Sequence, residues 1–175
     1  MSSINYNLEK IRAFVFDVDG VLSPSTIPLD AVTGAPVRMA NIKDGYAMQL
    51  AVRQGYHMAV ITGADTPAMQ GRYASLGVKD LFMKVSVKLP VLKHWMERNG
   101  LDPSEVMYVG DDIPDYQAMK YVGLPIAPAD AADDIKEIAN TISKYKGGYG
   151  VARDVIEQVL RTQGRWLGDD KAFGW

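Results

Sequence analysis

Residues 11–22 read Ile-Arg-Ala-Phe-Val-Phe-Asp-Val-Asp-Gly-Val-Leu, a nearly unbroken apolar run that stops at two aspartates and a glycine. Six residues of this kind suit a strand covered on both faces, as in a parallel sheet. Asp and Gly then supply the turn that carries the chain out of it. Residues i and i+2 of an extended chain project to one side, so Asp17 and Asp19 can face a common site.

Outward from this stretch, short apolar runs alternate with amphipathic ones. Strands are expected at Ile11–Phe16, His57–Ile61, Asp80–Met83, Val106–Val109 and Leu124–Ala127. Helices are expected at Gly45–Arg53, Pro67–Leu76, Lys88–Asn99, Pro114–Tyr121, Ala131–Ala139 and Val151–Gln163. Gly55, Gly77, Gly100 and Gly123 fall just past four of these helices, where a left-handed cap is expected. The alternation predicts an α/β fold with a central parallel sheet. Residues 24–40 interrupt it and read as a small β-hairpin insertion, with Thr33-Gly34 between Ile27-Pro-Leu29 and Val37-Arg-Met39. Residues 164–175 lack a helical period and read as a tail. A single domain over residues 1–175 is expected from the length.

In an open α/β sheet, ligands bind beyond the C-terminal strand ends. Three polar clusters fall there: Asp17-Val-Asp19-Gly20, Thr62-Gly63 and Gly110-Asp111-Asp112. Bare carboxylates at one edge repel, which raises a pKa or recruits a cation. An all-oxygen acidic pocket suits a hard ion, and Mg²⁺ combines carboxylates with substrate phosphate and water. Once phosphate is neutralised, Asp17, at the rigid strand end, can attack phosphorus to give an aspartyl-phosphate. Asp19, one step into the turn, suits the acid/base role. Thr62 and the backbone of Gly63 can bind phosphoryl oxygens near a helix start. Lys88 opens a helix, where a cation gains nothing from the dipole, so it is expected to have a charge partner. Asp115 reads as a first-turn acid or a brace behind the ligands.

A net charge of −2 gives no field to attract nucleic acid or an anionic membrane. The 47% hydrophobic content fits a packed core. No cysteine is present, which excludes thiolate chemistry and suits a reducing compartment. The opening Met1–Lys10 lacks a signal-peptide pattern, and no apolar run approaches a bilayer span of about 18 residues. A soluble, cytoplasmic protein is expected.

Asp17-Val-Asp-Gly-Val-Leu, Ile61-Thr-Gly, Lys88 and Gly110-Asp-Asp-x-x-Asp115, in that order, resemble the four motifs of the haloacid dehalogenase superfamily. Asn41-Ile-Lys-Asp-Gly-Tyr46, Leu76-Gly-Val78, Tyr108-Val-Gly-Asp-Asp112 and Gly147-Gly-Tyr-Gly-Val-Ala-Arg153 are similar to one branch, the 3-deoxy-D-manno-octulosonate 8-phosphate (KDO 8-phosphate) phosphatases. The resemblance covers about residues 11–164. It implies a three-layer Rossmann-like fold with no separate cap domain, assembled as a homotetramer whose neighbouring subunits cover each active site. It implies Mg²⁺ held by Asp17, the Asp19 carbonyl and Asp111, braced by Asp112 and Asp115, with Thr62, Gly63 and Lys88 on the phosphoryl group. Asn41, Lys43, Asp44, Gly45 and Arg72 would contact a phosphorylated sugar acid, and the tail can reach a neighbouring site. Alternatives within this frame are a nonulosonate 9-phosphate or another sugar-acid phosphate, and, in a different class, a non-catalytic oligomerisation module. The chain departs from the branch at Pro24-Ser25, where Asp-Gly is usual, at Ala64 and Gln49, where Arg is usual, and at Lys84, where Gly is usual. The lost cations bear on how a sugar-acid carboxylate is recognised.

Overall fold

A computed structural model describes residues 3–65, 67–168 and 170–174. Six strands form one parallel sheet: β1 (Ala13–Phe16), β2 (His57–Ile61), β3 (Asp80–Phe82), β4 (Val106–Val109), β5 (Leu124–Ala127) and β6 (Thr141–Ile142). Their order is β3-β2-β1-β4-β5-β6. The helices are α1 (Ile42–Arg53), α2 (Pro67–Ser75), α3 (Lys88–Arg98), α4 (Tyr116–Tyr121), α5 (Asp133–Ile138) and α6 (Val151–Thr162).

The period of two along β1 builds two cores. Phe14 and Phe16 join the cluster holding Met48 and Leu50 of α1, Met69 and Tyr73 of α2, and Val155 and Val159 of α6. Ala13 and Val15 join the cluster holding Leu92 and Trp95 of α3, Met119 of α4 and Ile135 of α5. Helices therefore cover both faces, giving the three-layer Rossmann-like arrangement. Phe16 pairs with Val60 on one side and Val109 on the other. The chain runs from β1 outward to β3, then crosses back to β4, so the order reverses at β1, where a ligand crevice is expected.

Several boundaries shift for local reasons. Helix α1 begins at Ile42 rather than Gly45 because Asn41 caps it, its side chain accepting from the N–H groups of Lys43 and Asp44. The helix expected at Pro114–Tyr121 is split, a 3-10 turn at Ile113–Asp115 preceding α4. Strand β6, two residues long, has too short a pattern to read from sequence. Gly55, Gly77 and Gly100 have positive φ as expected, but Gly123 does not. Gly123 is instead required by packing, because a Cβ there would lie 2.4 Å from the Tyr6 hydroxyl and 2.7 Å from Ser104 Cα.

The insertion at residues 24–40 is thinner than the expected hairpin: its one bridge pairs Leu29 with Pro36. Proline cannot donate to a ladder, and Pro28 and Pro36 sit in both arms. Asp30 closes the tip by accepting from the N–H groups of Val32 and Thr33 at 3.0 and 2.7 Å. Leu29, Val32, Val37, Met39 and, at the start of α1, Ile42 are exposed.

The tail folds back on its own chain, apart from Asp169 and Trp175, which lie outside the described residues. Trp166 is buried, edge-on to Tyr46 of α1 and 4.4 Å beneath the Arg153 guanidinium of α6. Tyr46 donates its hydroxyl to the Ala172 carbonyl, and Arg53 donates to the Gly174 carbonyl at 3.0 Å. Among the described residues, no helix is long and apolar enough to cross a membrane.

Candidate active site

Strand pairing fixes the site backbone. The Asp17 N–H donates to the Val109 carbonyl at 3.1 Å, and the Thr62 N–H to the Phe82 carbonyl at 2.9 Å. Asp17, Thr62 and Gly110-Asp111 therefore leave neighbouring strands along one edge. Asp17, Asp111 and Asp115 each bring a carboxylate oxygen within 4.8 Å of the other two. Lys88, buried at the start of α3, stands 2.9 Å from Asp17 Oδ2 and 2.7 Å from Asp115 Oδ1. The misplaced cation of the sequence thus has two buried partners. Burial opposes its charge, but Asp115 and Asp17 outweigh that and hold its pKa above the ordinary lysine value.

One lysine does not neutralise three carboxylates. Burial, then Asp115, pushes the Asp17 carboxyl up to about 7, with Lys88 opposing. Burial, then Asp17 and Asp115, pushes Asp111 up to about 8. The corner accepts either protons or a cation. Its donors are all oxygen, which suits Mg²⁺. Gly20, at φ 81°, makes room for the Asp111 carboxylate, since a Cβ there would lie 1.8 Å from Oδ2.

A cavity of about 410 Å³ opens over this corner, lined by Asp17, Asp19, Arg38, Thr62, Gly63 and Lys88 among others. Thr62 is buried, and its hydroxyl accepts from the Ala64 N–H at 3.1 Å. Behind it, Asp115 accepts from the Tyr108 hydroxyl at 2.7 Å and from the Asp111 N–H at 3.2 Å. Asp112 is exposed, and its carbonyl accepts from the Asp115 N–H. Lys84, where the branch has Gly, takes φ 57°, a left-handed conformation that costs an L-residue energy.

The expected sugar-acid contacts divide. Asn41, Asp44, Gly45 and Arg72 line a small cavity of about 10 Å³ with Tyr73, whereas Lys43 is exposed. The Arg72 guanidinium lies over Gly45, where a Cβ would be 2.5 Å from Nη2. Asp44 points inward: Oδ1 accepts from the Arg153 N–H at 2.7 Å, while Oδ2 has no partner among the described residues. Burial raises its carboxyl to about 6. The Tyr73 hydroxyl, also buried and without a partner among the described residues, is raised by burial and then by Asp44, Asp19 and Asp17.

Two residues of the site escape the sequence reading. Tyr108 looks like one more apolar residue of β4, and only its hydroxyl contact distinguishes it. Arg38 lies in the insertion, and nothing in its spacing connects it with Asp19. Its Nε and Nη2 reach the two Asp19 carboxylate oxygens at 2.6 and 2.8 Å.

Residues 74–155 match the haloacid dehalogenase-like hydrolase family. The chain is 35% identical over 157 residues to the 3-deoxy-D-manno-octulosonate 8-phosphate phosphatase KdsC of Escherichia coli K12, covering 90% of this chain and 83% of that one. A crystal structure of a probable YrbI family phosphatase from Pseudomonas syringae superposes with TM-score 0.86 and 35% identity, covering 90% of this chain and 89% of that one. The 3-deoxy-D-manno-octulosonate 8-phosphate phosphatase of Moraxella catarrhalis, solved with magnesium, phosphate and KDO, superposes with TM-score 0.83 and 28% identity, covering 88% of each chain. The carboxylate corner at the sheet's switch point and these likenesses agree: the chain belongs to the haloacid dehalogenase-like hydrolases, in the family of the 3-deoxy-D-manno-octulosonate 8-phosphate phosphatases.

Proposed function

We propose that the chain hydrolyses KDO 8-phosphate to KDO and inorganic phosphate, with Mg²⁺ as its metal and Asp17 as nucleophile. The observation that carries the chemistry is the Asp17 carboxylate, fixed at a strand end against Lys88 within an all-oxygen cluster. The choice of sugar acid draws on the relatives' activity and on the Moraxella protein's bound KDO.

Asp17, Asp111 and the main-chain carbonyl of Asp19 would hold Mg²⁺, with Asp112 and Asp115 behind them. When bound, Mg²⁺ neutralises carboxylate and phosphoryl oxygens, so that an anionic nucleophile can approach an anionic ester. Lys88, the Thr62 hydroxyl and the Gly63 N–H orient the phosphoryl group. The Asp17 carboxylate attacks phosphorus, and the P–O bond to the sugar breaks as Asp19 gives its proton to the leaving oxygen. Asp19, now a carboxylate, takes a proton from water as that water attacks phosphorus. Phosphate leaves, and Asp17 is restored. Arg72 and the Asn41–Gly45 turn take the sugar-acid end.

We further propose one domain over residues 1–175, working in the cytoplasm. The exposed Leu29, Val32, Val37, Met39 and Ile42 favour burial against other copies of the chain, as in a homotetramer. Light scattering at micromolar concentration tests the assembly, and a monomer refutes it. A screen of phosphorylated sugars and sugar acids, read by phosphate release with Mg²⁺, tests the substrate; a preference for neutral sugar phosphates refutes it. Asp17→Asn should abolish turnover with the fold intact, and substantial residual activity refutes the covalent route.

A further inference from the structure

We propose that Arg38, carried by the insertion, positions the Asp19 carboxylate for proton transfer. Asp19 lies in a turn, with its side chain about one-third exposed at 35%, and a carboxylate so placed has several rotamers available. Arg38 removes that freedom. Nε meets Oδ1 at 2.6 Å and Nη2 meets Oδ2 at 2.8 Å, so both oxygens are held and the carboxylate plane is set. Among the described residues no other side chain hydrogen-bonds this carboxylate.

Arg38 is itself well anchored, with its side chain only 9% exposed although it lines the open cavity. The next residue, Met39, donates its N–H to the Ser23 hydroxyl at 3.2 Å. Ser23 is buried and its backbone bridges to Asp19. The base of the insertion is thus stitched to the Asp-Val-Asp turn it serves. Two residues further, Asn41 donates to the Gly148 carbonyl at 3.2 Å.

The fork leaves the carboxylate able to work. Each oxygen has two lone pairs and gives one to the guanidinium, so each keeps one for a proton. In the first half-reaction the Asp19 O–H bond breaks as the leaving sugar oxygen gains the proton. In the second, a water O–H breaks and its proton returns to Asp19. Arg38 gains and loses nothing. A lysine could offer one point contact but could not fix the plane.

The inference rests on the proposed acid/base role of Asp19, and the experiment separates the two. The first-turnover burst of leaving-group release, at saturating substrate with Mg²⁺, is measured for KDO 8-phosphate and for p-nitrophenyl phosphate. The alkyl alcohol needs a proton to leave, whereas the aryl oxide does not. General acid catalysis contributes about 10²–10⁴-fold, so Arg38→Ala should slow alkyl release at least ~10-fold and aryl release by no more than ~3-fold. Arg38→Lys should recover part of the alkyl rate. Arg38→Ala combined with Asp19→Asn should be no slower than Asp19→Asn alone, because the two act through one group.

Equal losses on both esters, or losses that multiply in the double variant, would overturn the positioning role. A change confined to half-saturating substrate would also overturn it, making Arg38 a substrate ligand instead. If Asp19→Asn itself spares alkyl release, the acid/base assignment fails rather than the fork. Should Arg38→Ala melt early, Arg38→Lys keeps the buried stem and charge, and the same ester comparison decides.

Discussion

Lys88→Met removes a buried charge while keeping most of the stem, and its consequence can be worked from two contacts. Lys88 stands 2.9 Å from Asp17 and 2.7 Å from Asp115. At an effective dielectric of about 20, each attraction is gross about 6 kcal/mol. The desolvation of three buried groups offsets most of this sum. What remains on breaking such a network is about 3–5 kcal/mol, the cost of leaving buried carboxylates without their cation. For a chain of this length that lowers Tm by roughly 6–20 °C.

The loss has a pH signature. Asp17 already titrates near 7 in the folded chain, and losing Lys88 raises it further. The unfolded chain releases the same proton near about pH 4. A folded pKa raised above its unfolded value contributes stability below the lower pKa that is lost as pH rises through the higher one. The gap between wild type and variant, melted in EDTA, should therefore be small at pH 5 and large at pH 8. Added Mg²⁺ should narrow it at pH 8. A gap that is the same at both pH values and indifferent to Mg²⁺ would refute charge compensation and leave Lys88 a packing residue.

Three further outcomes follow from the site. Metal-free protein should lose stability as pH rises from about 4 to 8, because Asp17 and Asp111 are raised to about 7 and about 8. Mg²⁺ binding near pH 7 should then release protons, which calorimetry in buffers of different ionisation enthalpy reads directly; no release would refute the shifted carboxyls. Arg72→Ala should raise KM for KDO 8-phosphate by about 10-fold or more, the loss expected from a carboxylate contact of at least ~1.4 kcal/mol. A neutral sugar phosphate should be little affected, and equal effects on both would remove Arg72 from carboxylate recognition. Lys84→Gly should stabilise the fold by about 1 kcal/mol in urea titration, since φ 57° strains a residue with a Cβ; no gain, or a loss, would mean that the 2.7 Å contact with Asp65 matters more.

The sequence exposed the parts of this molecule that obey a local rule. Four of its five expected strands end where expected, and β3 stops one residue early at Phe82, because parallel buried strands are short apolar runs and punctuation closes them. The convergence of Asp17, Thr62, Lys88 and Asp111 was legible because strand ends and helix starts of an open α/β sheet meet along one edge. What stayed hidden depends on contacts far apart in the chain. The fork from Arg38 to Asp19 spans 19 positions, and nothing at either residue announces the other. The inward turn of Asp44 is set by the N–H of Arg153, 109 positions away. The tail has no period because its order comes from Trp166 wedged between α1 and α6, and one aromatic anchor leaves no repeat to detect.

Because β1 is paired on both sides, amide protons in different regions of the molecule should exchange at different speeds. The Asp17 amide lies in the central β1–β4 ladder and the Thr62 amide in the outer β2–β3 ladder, and the central one should exchange only on wide opening. Beyond its stitched base, the insertion is held by one bridge, two main-chain bonds between its arms and a capped turn, and its outer amides should exchange by local opening. Asp17, the proposed nucleophile, thus sits at the slow end of this range, and the outer part of the insertion that carries Arg38 should sit at the fast end. Substitutions toward the tip of the insertion should therefore change its own opening while leaving the strand end that carries Asp17 in place.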